Sequence, residues 1–325
     1  MNTRFLTVLM VMMAATADGS PAFAQQKYPA RPIRILIPFP AAGAADTIGR
    51  TIAEPLAARL RQTIVIDNRP GAAGRLATDL LAKAEPDGYT LLVGGVGPLA
   101  ISPWLYKKLP YDAERDILPI TRAAEIINVM VVNPAGGVRG VRPFIDGVRK
   151  RSGETRFGSS GPGQLDHLAG VFFQRLAGIQ MTHVPYKGGG PALIDLVSGD
   201  LQVMFSTYVV AVPHLQSGKL RALAVTTARR QPLLPDLPPV AEALPGFDIS
   251  NWNGIFAPAR TPPRIADRLF AEFNKAMLAP EVKKRQNYSG IEPEGSPSRA
   301  AFAQFMREDR ARWGKIIREA GITVE

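Results

Sequence analysis

The sequence predicts an α/β protein built as two lobes with a cleft between them, and three observations carry that expectation. Short apolar stretches alternate with helical patterns through both halves of the chain, the grammar of parallel βαβ units with right-handed crossovers. The chain has 325 residues; without a leader of 24 it keeps 301, which at roughly 150 residues per domain suffices for two. Each half also holds a loop of very small residues between a strand and a helix, where the helix N-terminus can receive an anion.

Residues 1–24 read as a secretory signal peptide. Arg4 supplies the positive start, Phe5 to Ala17 the apolar run and Ala22-Phe23-Ala24 the cleavage signal, so the expected location is periplasmic, with cleavage after Ala24. That run is shorter than the roughly 20 residues a membrane-spanning helix needs. Cysteine is absent, so the exported protein must hold together by burial rather than by disulfides.

The expected first lobe opens with residues 25–130. Arg34 to Phe39 is an apolar strand closed by Pro38 and Pro40. The loop that follows, Phe39, Pro40, Ala41, Ala42, Gly43 and Ala44, has almost no side-chain bulk, so a ligand can approach its backbone, and Gly43 can supply a positive φ. Asp46 is the expected N-cap of a helix whose stripe is Ile48, Ile52, Leu56 and Leu60. Pro55 interrupts that pattern at a cost of about 3 kcal/mol in a regular helix, so a kink or break is expected near residues 51–54. Further strands are expected at 64–68, 90–94 and 129–133.

The expected second lobe, residues 131–250, repeats this grammar with strands at 155–159, 181–185, 201–205 and 221–226. Its small-residue loop is Ser159, Ser160, Gly161, Pro162 and Gly163, ahead of a helix over 165–176 with His167 in its first turn. Counting Gly158 just before it, three glycines and two hydroxyls there offer backbone and Ser donors to an anion. Ser206 and Thr207 follow a strand near the same expected cleft. The chain then crosses back near Trp252 to Ala257, and residues 251–325 complete the first lobe with helices over 265–278 and 300–320. The second of these presents Phe302, Phe305, Met306, Trp313, Ile316 and Ile317 on one face.

Charge and motifs narrow the function. The net charge is +11, which suits acidic partners, but the basic clusters are short, scattered and free of aromatic interleaving, and export argues against nucleic acid. His183 and His214 are remote from His167 in sequence, and no Cys/His or His-Glu-x-x-His spacing suggests a metal. Gly158-Ser159-Ser160-Gly161 is not a nucleophile elbow, Pro213 stands where a P-loop needs glycine, and Pro98 and Pro103 crowd the one dinucleotide-like glycine pattern at Gly95. No enzyme and no cofactor are expected. Two facing anion seats suit a clamshell that closes on a carboxylate.

Six segments then carry a resemblance. Tyr28-Pro-x-Arg-Pro-Ile-Arg-Ile-Leu-Ile-Pro-Phe39, Asp67-Asn-Arg-Pro-Gly-Ala-Ala-Gly74, Ala84-Glu-Pro-Asp-Gly-Tyr-Thr-Leu-Leu92, Leu109-Pro-Tyr-Asp112, His183-Val-Pro-Tyr-Lys-Gly-Gly-Gly-Pro-Ala192 and Ser217-Gly-Lys-Leu-Arg-Ala-Leu-Ala-Val-Thr-Thr227 resemble the Bug family. These are the extracytoplasmic receptors of tripartite tricarboxylate transporters. The resemblance covers nearly the whole mature chain. It implies a type II periplasmic-binding-protein fold, a monomer with a hinge that captures a small carboxylate and hands it to two integral membrane subunits. A periplasmic sensor serving a membrane kinase would use the same clamshell. It also implies that one ligand carboxylate is held by backbone groups of Phe39–Ala44 with Asp46, and of Ser159–Gly163 with His167, with Ser206 and Thr207 as further contacts. The family has two adjacent glycines where this chain has Gly43-Ala44, and Thr or Pro where it has Ala45, so a tighter seat is expected. Gln164 and Asp166 depart from the usual small hydroxyl residues, and an ionised Asp166 would disfavour a second carboxylate.

Overall fold

The computed structural model describes residues 28–322, so the expected signal peptide lies outside the described residues. Among the described residues eleven strands form two sheets. In chain order they are β1 (Ile33–Ile37), β2 (Ile64–Asn68), β3 (Thr90–Gly95), β4 (Ile117–Ile126), β5 (Asn128–Val132), β6 (Arg156–Ser159), β7 (Thr182–Pro185), β8 (Val203–Thr207), β9 (Arg221–Val225), β10 (Asn251–Pro258) and β11 (Ile291–Pro293). The first sheet runs β11-β4-β10-β3-β1-β2 and the second β7-β6-β8-β5-β9.

The expectation of parallel sheets is corrected in a systematic way. β1 is parallel to β2 and β3, and β6 is parallel to β7 and β8, as βαβ units require. The strands at the crossings are antiparallel: β10 against β3 and β4, and β5 against β8 and β9. A strand that enters a sheet from the other lobe arrives from the opposite direction, so no local crossover constrains its sense.

β4 and β11 were not expected from the pattern. β4 contains Pro119, Arg122 and Glu125, poor strand residues that hide its period. It is held by β10, whose register slips at Ile255/Phe256 opposite Pro119; an irregularity there spares the ladder the N–H that proline lacks.

Among the described residues ten α-helices cover the sheets: α1 (Ala44–Leu60), α2 (Arg75–Ala82), α3 (Ser102–Leu105), α4 (Val141–Arg149), α5 (Leu165–Ala177), α6 (Gly189–Ser198), α7 (Tyr208–Gln216), α8 (Pro263–Met277), α9 (Pro280–Tyr288) and α10 (Arg299–Ala320). No helix among the described residues is long and apolar enough to cross a membrane. α1 is assigned as one helix with Pro55 inside it, not broken at 51–54. Ile52 and Leu56 on either side are fully buried, and burial of two such side chains, about 1.5–3 kcal/mol each, offsets the proline penalty.

The chain passes from the first sheet to the second at Ile127, between β4 and β5, and returns between Ile249 and Asn251. The two passages are laced together. Thr226 N–H donates to Asn128 O, Ile249 N–H donates to Thr226 O, and Asn251 Nδ2 donates to Asn128 Oδ1 at 3.0 Å. One buried cluster is continuous between the sheets, from Leu36, Leu92, Trp252 and Trp313 to Phe157, Phe173, Phe205 and Phe247. α10 supplies Phe302, Met306, Trp313 and Ile317 to it, with Phe305 and Ile316 packed at its margin, as its stripe foretells.

Candidate functional site

Parallel strands place their carboxyl ends on one edge, so the loops after β1, β2 and β3 gather on one side of the first sheet, and those after β6 and β8 on one side of the second. In the first loop Phe39 is half-buried and Pro40, Ala41 and Ala42 are exposed. The positive φ falls on Ala42, at 66°, whereas Gly43 is extended at φ −80°, ψ 172°. Gly43, not Asp46, is the N-cap of α1, and no side chain caps that helix. The first intrahelical bond runs from Thr47 N–H to Gly43 O, leaving the N–H groups of Ala44, Ala45 and Asp46 at the helix mouth.

Asp46 instead braces the loop from inside. Its Oδ2 accepts from Ala42 N–H at 2.9 Å, and Arg50 Nε donates to both oxygens at 2.9–3.0 Å. Asn68 Nδ2 donates to Asp46 Oδ1 and to Phe39 O. Burial pushes the Asp46 pKa up, but these bonds and the Arg50 charge outweigh it and hold the carboxyl below its ordinary range. Ala44 and Ala45 are buried in the same apolar cluster as Ile37 and Ile48. Their methyls face the core rather than the loop, so the expectation that they tighten the seat is not what the packing shows.

The second loop is wound more tightly. Ser160 N–H donates to Asp166 Oδ2 at 2.6 Å, Gly161 N–H to Ser159 Oγ at 3.2 Å, Gly163 N–H to His167 Nδ1 at 3.2 Å, and Gln164 N–H to Gly161 O at 3.2 Å. Backbone donors expected to face a ligand are thus spent on the loop itself. Positive φ at Gly161 (141°) and Gly163 (73°) makes the winding possible. Gln164 caps α5 without a side-chain bond, so the amide of Leu165 stands at that helix mouth.

Asp166 accepts from His167 N–H as well, at 2.9 Å. Burial dominates there and raises its pKa to about 6, against the bonds from Ser160 and His167. Its oxygens point into the loop and not across the cleft. His167 is buried, its pKa lowered to about 4 first by burial and then by His183. A neutral ring is what Gly163 N–H needs as an acceptor.

His183, remote in sequence, lies on β7 opposite Phe157 of β6. It stacks on His167 with centroids 4.1 Å apart and reaches Ser159 Oγ with Nε2 at 2.6 Å. Burial lowers its pKa too. His214 stands apart, in the last turn of α7. Ser206 is buried and donates to Thr207 O at 3.1 Å; Thr207 is half-buried at the N-cap of α7. Both sit on the edge that carries Ser159, because β6 and β8 are parallel.

Contacts between the lobes extend beyond the two small-residue loops. A Cβ placed on Gly188 would lie 3.9 Å from Pro40 Cγ, and one on Gly163 would lie 3.2 Å from the Tyr106 hydroxyl; one on Gly97 would lie 3.3 Å from Gln164 Oε1. The loops after β1, β3, β6 and β7 therefore meet along one seam. The Tyr186–Gly190 segment has a visible signal in its three consecutive glycines, and Asn68 lies in the Asp67–Gly74 motif; Arg75 has none. Two surface concavities, of about 470 and 450 Å³, contain no residue of either small-residue loop.

This arrangement of two uncapped helix mouths across an interlobe seam can be set beside known proteins. Residues 48–322 match the family model described as Tripartite tricarboxylate transporter family receptor. The chain belongs to this receptor family. BugT of Bordetella pertussis is 33% identical to it over 322 residues, 98% of each chain. The solved structure of Rhodopseudomonas palustris Rpa4515 with adipate superposes with a TM-score of 0.87 at 33% identity, covering 91% of this chain and all of that one. MatC from Rhodopseudomonas palustris with bound malate gives a TM-score of 0.82 at 32% identity, covering 89% of this chain and all of that one. The fold is that of the two-lobed periplasmic binding proteins, and the Bug resemblance read from six motifs is confirmed.

Proposed function

We propose that this receptor captures a small carboxylate in the periplasm between its two lobes and delivers it to the two integral membrane subunits of a tripartite transporter. The observation that carries the reading is the seam itself: the uncapped starts of α1 and α5 face it from different lobes, in a receptor family whose solved members hold adipate and malate. The N–H groups of Ala44, Ala45 and Asp46 would receive one carboxylate beneath Phe39–Gly43. Leu165 N–H would close on it from the second lobe, with Ser159–Gly163, His167, Ser206 and Thr207 setting the shape of that wall. The laced passages at Ile127 and Ile249–Asn251 are the proposed hinge, which divides the described chain into lobes of residues 28–126 with 251–322, and 128–249; the first boundary lies a few residues before the expected 130 because Asn128–Val132 pairs within the second sheet.

Thermal shift against a panel of C4 to C6 carboxylates, amino acids and aromatic acids tests this. A ligand at a hundredfold excess over Kd stabilises by about 2.7 kcal/mol; folded protein that gains no stability from any acid would remove the reading. Delivery is tested in membrane vesicles carrying the permease pair, where uptake must depend on added receptor.

A further inference from the structure

The two small-residue loops, 39–44 and 159–163, contain no lysine or arginine. One arginine nevertheless stands beside them. Arg75 is the first residue of α2 and follows Gly74, where a Cβ would lie 3.3 Å from Pro38 Cβ, 3.4 Å from Phe39 Cζ and 3.4 Å from Pro98 Cγ. Its backbone is thus fixed against the first loop. Its guanidinium carbon lies 3.5 Å from the centroid of the Tyr106 ring, and its Nε donates to Ala72 O at 2.8 Å. Tyr106 in turn touches the second loop at Gly163. The guanidinium is therefore stacked on the residue that bridges the seam.

Asp79, one turn further along α2, is paired with Lys83 and not with Arg75. Arg34, Arg50 and Arg69, also in the first lobe, are each paired with Asp67 or Asp46. Arg75, half-buried, forms no ion pair among the described residues, and no acidic side chain stands in the first turn of α2. A cation at the start of a helix also opposes the helix dipole. Stacking and the Nε bond hold the fork in one orientation, so little freedom is lost when its terminal nitrogens meet a carboxylate.

We propose that Arg75 binds the second anionic group of the ligand and makes this receptor selective for dicarboxylates over monocarboxylates. The first carboxylate sits at the start of α1 and the second on the Arg75 guanidinium, with Tyr106 as the platform that keeps the fork in place. This inference rests on the carboxylate-receptor reading given under Proposed function.

The test is calorimetric titration of the mature protein with succinate, glutarate and adipate, each against its monomethyl ester, which has the same acyl chain and one charge fewer. Wild type is expected to bind at least one diacid roughly tenfold or more above its ester. Arg75→Gln should bring that ratio close to one and leave the ester's affinity unchanged. Arg75→Lys, which keeps the charge but not the fork, should give an intermediate ratio, and it carries the test if the glutamine variant does not fold. An unchanged ratio in Arg75→Gln, or a wild type that binds esters as well as diacids or monoacids only, overturns the role of Arg75 and leaves the receptor reading standing. Binding of no acid at all overturns both.

Discussion

The two loops that face each other across the seam use one device with opposite electrostatics. Each is held by a buried aspartate from the first turn of the following helix, which reaches back to a loop amide: Asp46 to Ala42, Asp166 to Ser160. Asp46 is matched by Arg50 and Asn68 and stays ionised well into acid. Asp166 has no cation among its bonding partners, and burial pushes its carboxyl up to about 6 against the bonds from Ser160 and His167. The difference teaches that equal backbone geometry can rest on a cation-paired brace in one lobe and on one without a cation in the other. In the first loop the aspartate takes one amide, whereas in the second Ser159 and His167 take two more, from Gly161 and Gly163.

The largest expected effect follows from cutting the charged brace. Asp46→Ala releases Ala42 N–H, Arg50 and Asn68 together, and should cost about 3 kcal/mol in urea unfolding and abolish carboxylate binding. A loss below 1 kcal/mol would mean that the loop holds its shape without the aspartate.

The second brace is probed by pH. The raised Asp166 pKa stabilises the fold below pH 3.8, and that contribution is lost as pH rises through about 6; the lowered His167 pKa acts the other way, its contribution being lost as pH falls from 6.5 towards 4. Each shift corresponds to about 3 kcal/mol, so in the wild type the two nearly cancel between pH 4 and 6. Asp166→Asn should uncover a stability that rises with pH across that window, and His167→Gln one that falls. Two variants with the same slope as wild type would break the comparison.

A smaller effect is expected from Gly161→Val. Its φ of 141° disfavours any side chain, and a Cβ there meets Tyr186 O at 3.4 Å, so unfolding measurements should show a loss of about 2 kcal/mol, with binding lost in a folded protein. The smallest effect has the opposite sign. Ala42→Gly removes the left-handed strain at φ 66° and should raise stability by up to about 1 kcal/mol, read as a higher Tm.

Much of this was legible in the chain. The strand into Phe39, the stripe Ile48 to Leu60 and the helix from Leu165 follow from periodicity and small-residue punctuation, which are local. Asp46 was legible as a residue at a helix start but not in its role, because capping and loop bracing leave the same sequence signature. The positive φ was placed on the glycine, the residue that tolerates it, while the bond to Asp46 imposes it on the neighbouring alanine. His183 and His167 were read as unrelated because 16 residues separate them; only the β6–β7 register brings them to 4.1 Å.

What the sequence determined by itself is the set of local units: strands, small-residue loops, helix starts and the motifs that name the receptor family. These depend on side-chain size, branching and polarity within a few residues. The tertiary structure alone decided the strand senses at the crossings, the partner of each buried carboxylate and the stacking of Arg75 on Tyr106. Such features depend on which distant segments share one small volume, where charge, burial and hydrogen-bond supply must be balanced together.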